Sequence, residues 1–138
     1  MFKHILVAAD GSNHSVRAAE YARSLADKYG GTVDVAYVVE GEMAKADVLH
    51  HNDPFEIELA RQEKVRRVRE QFEGADYECQ LHILHGEPGP ALVEFANGKD
   101  FDCVIVGSRG LNKLQTLILG SVSHKVAKRV SCPVLIVK

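Results

Sequence analysis

Short, nearly unbroken apolar runs alternate along this chain with longer stretches in which apolar residues recur at helical spacing. The runs are His4–Ala9 (HILVAA), Thr32–Val39 (TVDVAYVV), Glu78–His85 (ECQLHILH), Phe101–Val106 (FDCVIV) and Pro133–Val137 (PVLIV). Each predicts a strand, and continuous apolar runs are the mark of strands covered on both faces of a parallel sheet. The third run is the most polar and reads as lying near an edge. Between the strands the spacing predicts four helices. The first starts at Ser12 or Asn13, carries Ala19, Ala22, Ala26 and Tyr29 on one face, and stops at Gly30-Gly31. The second opens with Asp53-Pro54, an N-cap followed by proline at the first helical position, and lines Ile57, Ala60, Val65, Val68 and Phe72 along one side down to Gly74. A short third helix fits Pro90–Asn97. A fourth fits Ser121–Val130, with Val122, Val126 and Val130 on a common face.

Strict alternation of strand and helix means an α/β fold: an open five-stranded parallel sheet with helices on both faces and right-handed crossovers. The pattern leaves two common strand orders open, 3-2-1-4-5 and 2-1-3-4-5. No internal repeat, low-complexity stretch or linker interrupts it, so 138 residues read as one domain, 1–138.

Composition narrows the classes of function. A content of 46% apolar and 26% charged residues is that of a folded domain rather than a disordered one. A net charge of -2 without a basic stripe argues against nucleic acid as partner. The cluster Lys64, Arg66, Arg67 and Arg69 is interleaved with Glu58, Glu63, Glu70 and Glu73 and reads as a solvated helix face. No apolar run approaches the roughly 20 residues that span a bilayer, and the opening run breaks at Asp10, so neither membrane nor export is expected and the cytoplasm is the default. Cys79, Cys103 and Cys132 form no C-x-x-C and read as buried, inert thiols in a reducing compartment.

In open α/β sheets ligands bind beyond the carboxyl ends of the strands. The residues just past each strand are therefore informative: Ala9-Asp10-Gly11-Ser12 after the first, Glu40-Gly41 after the second, Gly107-Ser108-Arg109-Gly110 after the fourth, and then Gly120-Ser121-Val122-Ser123 opening the last helix. Glycines let a ligand approach the backbone closely. The unpaired N–H groups and dipole of a helix start favour an anion such as phosphate. Ser121 and Ser123 add hydroxyls, and Arg109 adds a guanidinium suited to phosphate oxygens. The competing reading is that the glycines only make turns, that Ser121 or Asp10 only caps a helix, and that Val38 and Val106 only fill the core. The chain has no G-x-x-x-x-G-K-[ST], no G-x-G-x-x-G after the first strand and no G-x-S-x-G, which sets aside Walker-type NTPases, dinucleotide enzymes and α/β-hydrolases. His82 and His85, three apart on a strand, point to opposite faces and cannot share a metal. His50-His51 with Asp53 reads as a polar loop.

The opening HILVAADGS and the ending GSRGLNKLQTLILGSVSHKVAKRVSCPVLIVK, with its G-x2-G-x9-G-[ST] spacing, resemble the universal stress protein family. The resemblance runs from the first strand to the fifth. It implies a Rossmann-like, adenine nucleotide α-hydrolase-like sheet in the order 3-2-1-4-5, with Asp10 and Gly107 flanking one crevice. It implies the family's ATP site: Asp10 on the ribose or adenosine part, Val38 on adenine, Val106 and Gly107 lining the nucleoside pocket, and Arg109, Gly110, Gly120, Ser121, Val122 and Ser123 on the phosphates, with Mg²⁺ or Mn²⁺ as the accompanying metal. It implies a homodimer through Pro133–Val137, an apolar edge strand in that order. The function expected is ATP binding in a regulatory or stress-response role. The alternatives are a slow ATPase or self-phosphorylating enzyme, with Ser121 and Ser123 as acceptors, and an interaction module that binds no nucleotide. The segment Gly41–Asn52 carries no assignable role.

Overall fold

A computed structural model describes residues 1–41, 49, 53–109 and 120–138. Five parallel strands, β1 (His4–Ala9), β2 (Thr32–Val39), β3 (Gln80–His85), β4 (Cys103–Gly107) and β5 (Val134–Val137), form one sheet in the order β3-β2-β1-β4-β5. Helices α1 (Asn13–Tyr29), α2 (Pro54–Glu70), α3 (Pro88–Asn97) and α4 (Ser121–Arg129) cover it. Of the two orders open to the pattern, the sheet has the one that the resemblance implied.

The alternation of side chains along β1 divides the core. Ile5, Val7 and Ala9 pack with Ala18, Ala22 and Ala26 of α1 and with Val65 and Val68 of α2. Leu6 and Ala8 face the other way, onto Leu92 and Ala96 of α3 and Val126 of α4. Small residues on α1 let that helix lie close to the sheet. Its ends are set locally. Ser12 Oγ accepts the Ser15 N–H at 3.2 Å, and Gly30 closes the helix in the left-handed region at φ 67°, its N–H bonded to Ala26 O. Asp53 caps α2 by accepting the Phe55 N–H at 2.9 Å, with proline at the helix start, as the sequence predicts.

Among the differences from the sequence reading are two element starts and one side chain. Helix α3 begins at Pro88, not Pro90. Both prolines fall in the first turn, where no intrahelical N–H is required, so either can open a helix. Strand β3 begins at Gln80 because its ladder with β2 begins at Asp34↔Gln80, leaving Glu78 and Cys79 outside. Tyr29, expected on the buried face of α1, is 38% exposed and rests its ring on Phe2, centroids 5.2 Å apart.

At the amino end of the sheet several polar groups find partners within the protein, although Asp102 Oδ1 is buried without one among the described residues. Asp34, inside the apolar run of β2 and 8% exposed, holds His82 Nε2 of β3 at 2.8 Å and His4 Nε2 of β1 at 3.5 Å through one carboxylate oxygen. Asp102 Oδ2 accepts the Lys3 N–H at 2.7 Å and the His4 N–H at 3.3 Å. Asn97 at the end of α3 accepts the Ser131 N–H at 2.9 Å and donates to Arg129 O at 3.1 Å, fastening the exit of α4. Gly31 lies where a Cβ would meet Phe2 O at 2.1 Å, so the turn into β2 requires glycine for space alone.

The three cysteines carry free thiols. Burial pushes the Cys79 thiol up to about 12 and that of Cys103 up to about 11, and raises Cys132 as well, which suits the inert role expected of them. No described helix is long and apolar enough to cross a membrane.

Candidate functional site

Strands β1 and β4 lie side by side, but the chain leaves them in opposite directions, β1 toward β2 and β4 toward β5. Their exit loops part there, and a crevice opens beyond their carboxyl ends. It has a volume of about 410 Å³. Ala8, Ala9 and Asp10 come to it from β1, Tyr37, Val38 and Glu40 from β2, and Val106, Gly107 and Arg109 from β4 and its exit. Helix α1 adds Ser15, the start of α3 adds Pro88 and Leu92, and the start of α4 adds Gly120, Ser121, Val122 and Ser123. Every described residue that the sequence nominates for the site therefore lines this one cavity. Gly110, also nominated, lies outside the described residues, as do His50, His51 and most of the Gly41–Asn52 segment.

The crevice has two chemically different halves. Val38, Leu92 and Val106 make an apolar slot suited to a flat ring. Opposite, α4 starts at Gly120 with no side-chain cap, so its first-turn N–H groups and positive dipole end meet the cavity. The start of α4 is tied to the end of β4. Gly120 N–H donates to Ser108 O at 2.8 Å, and Ser123 Oγ lies 2.9 Å from Gly120 O and 3.2 Å from Ser108 O. The Ser123 hydroxyl proton is thereby directed at backbone carbonyls, while Ser121 is exposed. Ser123 ties the first turn of α4 to Ser108, a task that its position in the sequence does not reveal.

The glycines divide by purpose. A Cβ on Gly107 would lie 2.7 Å from His14 Cβ and 3.1 Å from that residue's carbonyl carbon, so packing of α1 on β4 already demands glycine there. At Gly120, φ is -59° and a Cβ would make only ordinary contacts of 3.4–3.7 Å. Among the described residues nothing requires glycine at 120, whereas the cavity beside it gains room.

Asp10 is not the cap of α1. Ser12 is, and Asp10 Oδ1 instead accepts the Ser12 N–H at 2.9 Å across the tight turn at Gly11, φ 83°. That corrects the capping alternative, and Asp10 itself lines the crevice. Ala8, Ala9, Ser15, Tyr37, Glu40, Pro88 and Leu92 are the lining residues that sequence reasoning leaves without a site role. Glu40 carries a readable signal, an acid just past the carboxyl end of β2, matching Asp10 past β1. Pro88 is hidden when α3 is started one proline too late. Among the described residues no group of three or more His, Cys, Asp or Glu is placed to hold a metal ion.

The family model described as the universal stress protein family matches residues 1–138. The chain belongs to this family. A universal stress protein of Thermus aquaticus is 36% identical over 138 residues, covering all of both chains. Among solved universal stress protein structures, one in complex with cAMP is 27% identical, with a TM-score of 0.69 over 99% of this chain and 96% of its own. Another, from Archaeoglobus fulgidus in complex with dAMP, is 25% identical, with a TM-score of 0.69 over 99% and 98%.

Proposed function

We propose that the crevice binds an adenine nucleotide, ATP in particular, and that the bound state of this universal stress protein domain, residues 1–138, regulates its assembly or partners in the cytoplasm. The observation that carries this reading is the pairing, within one cavity, of an apolar slot (Val38, Leu92, Val106) with the uncapped start of α4 at Gly120–Ser123. A base fits the first and phosphates the second. Asp10, with one oxygen engaged by Ser12 N–H, turns the other toward ribose hydroxyls. Arg109 and the N–H groups of Ser121, Val122 and Ser123 receive the phosphates, with Gly107 and Gly120 keeping the backbone close, and Gly110 belongs to the same loop. Mg²⁺ or Mn²⁺ would arrive with the nucleotide, since such ions are held by phosphate oxygens plus one or two carboxylates rather than by a protein cage. The universal stress protein structures that contain cAMP and dAMP support adenine as the base.

Binding without efficient turnover is the better reading, because no lysine is among the described lining residues and the Asp10 carboxylate is tied to its own turn. The test is direct. Purified protein is denatured and the supernatant analysed for released nucleotide, and ATP is titrated calorimetrically into nucleotide-free protein. No heat with any adenine nucleotide overturns the proposal. Phosphate release measured with and without Mg²⁺ separates binding from slow hydrolysis.

A homodimer through β5 is the second part of the proposal. Val134, Leu135 and Ile136 are partly exposed on a strand whose ladder runs to β4 alone. An apolar edge of this kind favours pairing with a second copy. Size exclusion with light scattering is expected to give a dimer at micromolar concentration, with Ile136→Lys shifting it to monomer. A monomer for the unmodified protein, with and without ATP, removes this part.

A further inference from the structure

The crevice carries its charges asymmetrically. Its described lining residues include two acids, Asp10 and Glu40, and one base, Arg109. The acids stand together. Ala9 pairs with Tyr37 in the β1–β2 ladder, so Asp10 follows beside Val38, and Glu40 comes two residues after Val38. Arg109 and the start of α4 lie across the cavity, beyond β4. On the nucleotide reading above, on which this inference rests, the base slot and the phosphate end fix the ribose between them. Its free edge then faces the Asp10–Glu40 wall.

Carboxylates accept hydrogen bonds from hydroxyls and repel phosphate. In a concave site walled by protein, that repulsion is screened less than in open solvent. Like charges set against the wrong ligand are a common means of selectivity. We infer that Glu40, acting with Asp10, excludes from the crevice adenine nucleotides that carry, besides the 5′-phosphate, a separate phosphate monoester on the ribose 2′ or 3′ oxygen, as cofactors built on adenosine 2′,5′- or 3′,5′-bisphosphate do. Glu40 is the specificity-determining residue because it is an exposed lining carboxylate, whereas Asp10 already accepts the Ser12 N–H.

The experiment compares AMP with adenosine 3′,5′-bisphosphate and adenosine 2′,5′-bisphosphate by calorimetry on nucleotide-free protein. All three share the base and the 5′-phosphate. Each bisphosphate is expected to bind at least about tenfold more weakly than AMP at low salt, in keeping with the penalty for juxtaposed like charges. Raising the ionic strength is expected to narrow that ratio, because screening weakens repulsion but not shape. Glu40→Gln is expected to narrow it at low salt, and Asp10→Asn to narrow it further on the same background. Equal affinities, or a ratio that neither variant nor salt moves, overturn the inference and leave the nucleotide reading standing. Failure of AMP and ATP to bind at all overturns the nucleotide reading, and the inference with it.

Discussion

The two ends of the sheet use similar residues to opposite effect. At the amino end, Asp34 is enclosed between His82 and His4, Asp102 holds two backbone N–H groups, and Asn97 ties down Ser131. At the carboxyl end, Asp10 and the exposed Glu40 line the crevice, and α4 begins without a side-chain cap. Polar groups satisfied within the chain stabilise it, whereas polar groups held open by a rigid scaffold can recognise something else. Glycine shows the same split: Gly31 is required by a neighbouring carbonyl, and Gly120 by nothing among the described residues.

Substitutions that exchange these roles test the contrast, and the largest effect belongs to Gly31→Ala. Its Cβ would fall 2.1 Å from Phe2 O, a backbone atom that cannot move aside alone. Chemical denaturation is expected to show a loss of about 3 kcal/mol, at the upper end for overpacking. Gly120→Val is the counterpart. We expect the unfolding midpoint to hold while ATP affinity falls by at least about tenfold, a branched side chain there occupying phosphate space. A variant that binds ATP normally takes this loop out of the site.

Next in size is the pair of aspartates. Asp10→Ala is expected to weaken ATP by about 1.5–3 kcal/mol, the range for a hydrogen bond to a charged group. Asp34→Ala is expected to cost about 2 kcal/mol of stability, since it strands two histidines, and to leave ATP affinity alone. Paired calorimetry and denaturation on both variants decide the matter. If Asp34→Ala changes affinity as much as Asp10→Ala does, the ends are not independent.

A separate effect, on stability alone, is a loss in alkali. Burial is the chief cause raising Cys79 from 9.0 to about 12, Cys103 from 9.0 to about 11 and Tyr77 from 10.0 to about 12. The folded chain therefore holds these protons more tightly than the unfolded chain does. Their contribution is complete below pH 9 and is lost as pH rises toward 11–12. Urea midpoints that fall from about pH 9 to about pH 10.5 match this, and midpoints flat across that window contradict it.

Much of this architecture is legible in the sequence because single strands and helices announce themselves locally. HILVAA and TVDVAYVV read as doubly covered strands, and Gly30 marks the end of α1 through its left-handed backbone. The glycine spacing around residues 107–121 places one side of the crevice wall, from Gly107 to the start of α4. What stays hidden is contact across the sheet. Asp34 looks like a polar interruption in an apolar run until the β2–β3 register sets it near His82, 48 residues away. Gly107 looks like ligand clearance until α1 brings His14 against it. Pro88 and Leu92 join the site only because the crossover through α3 returns over β2, a path that no local spacing encodes.

The strand order also sets a schedule for the ribosome. Of the five strands β1 is made first and occupies the centre of the sheet, but its β4 neighbour emerges only after β2 and β3. At translation rates of about 5–20 residues per second, the outer side of β1 waits on the order of 5–20 seconds for Cys103–Gly107 to arrive. Throughout that interval the nascent chain presents one of its most apolar strands as an open edge, and chaperones that hold nascent polypeptides have their clearest target there.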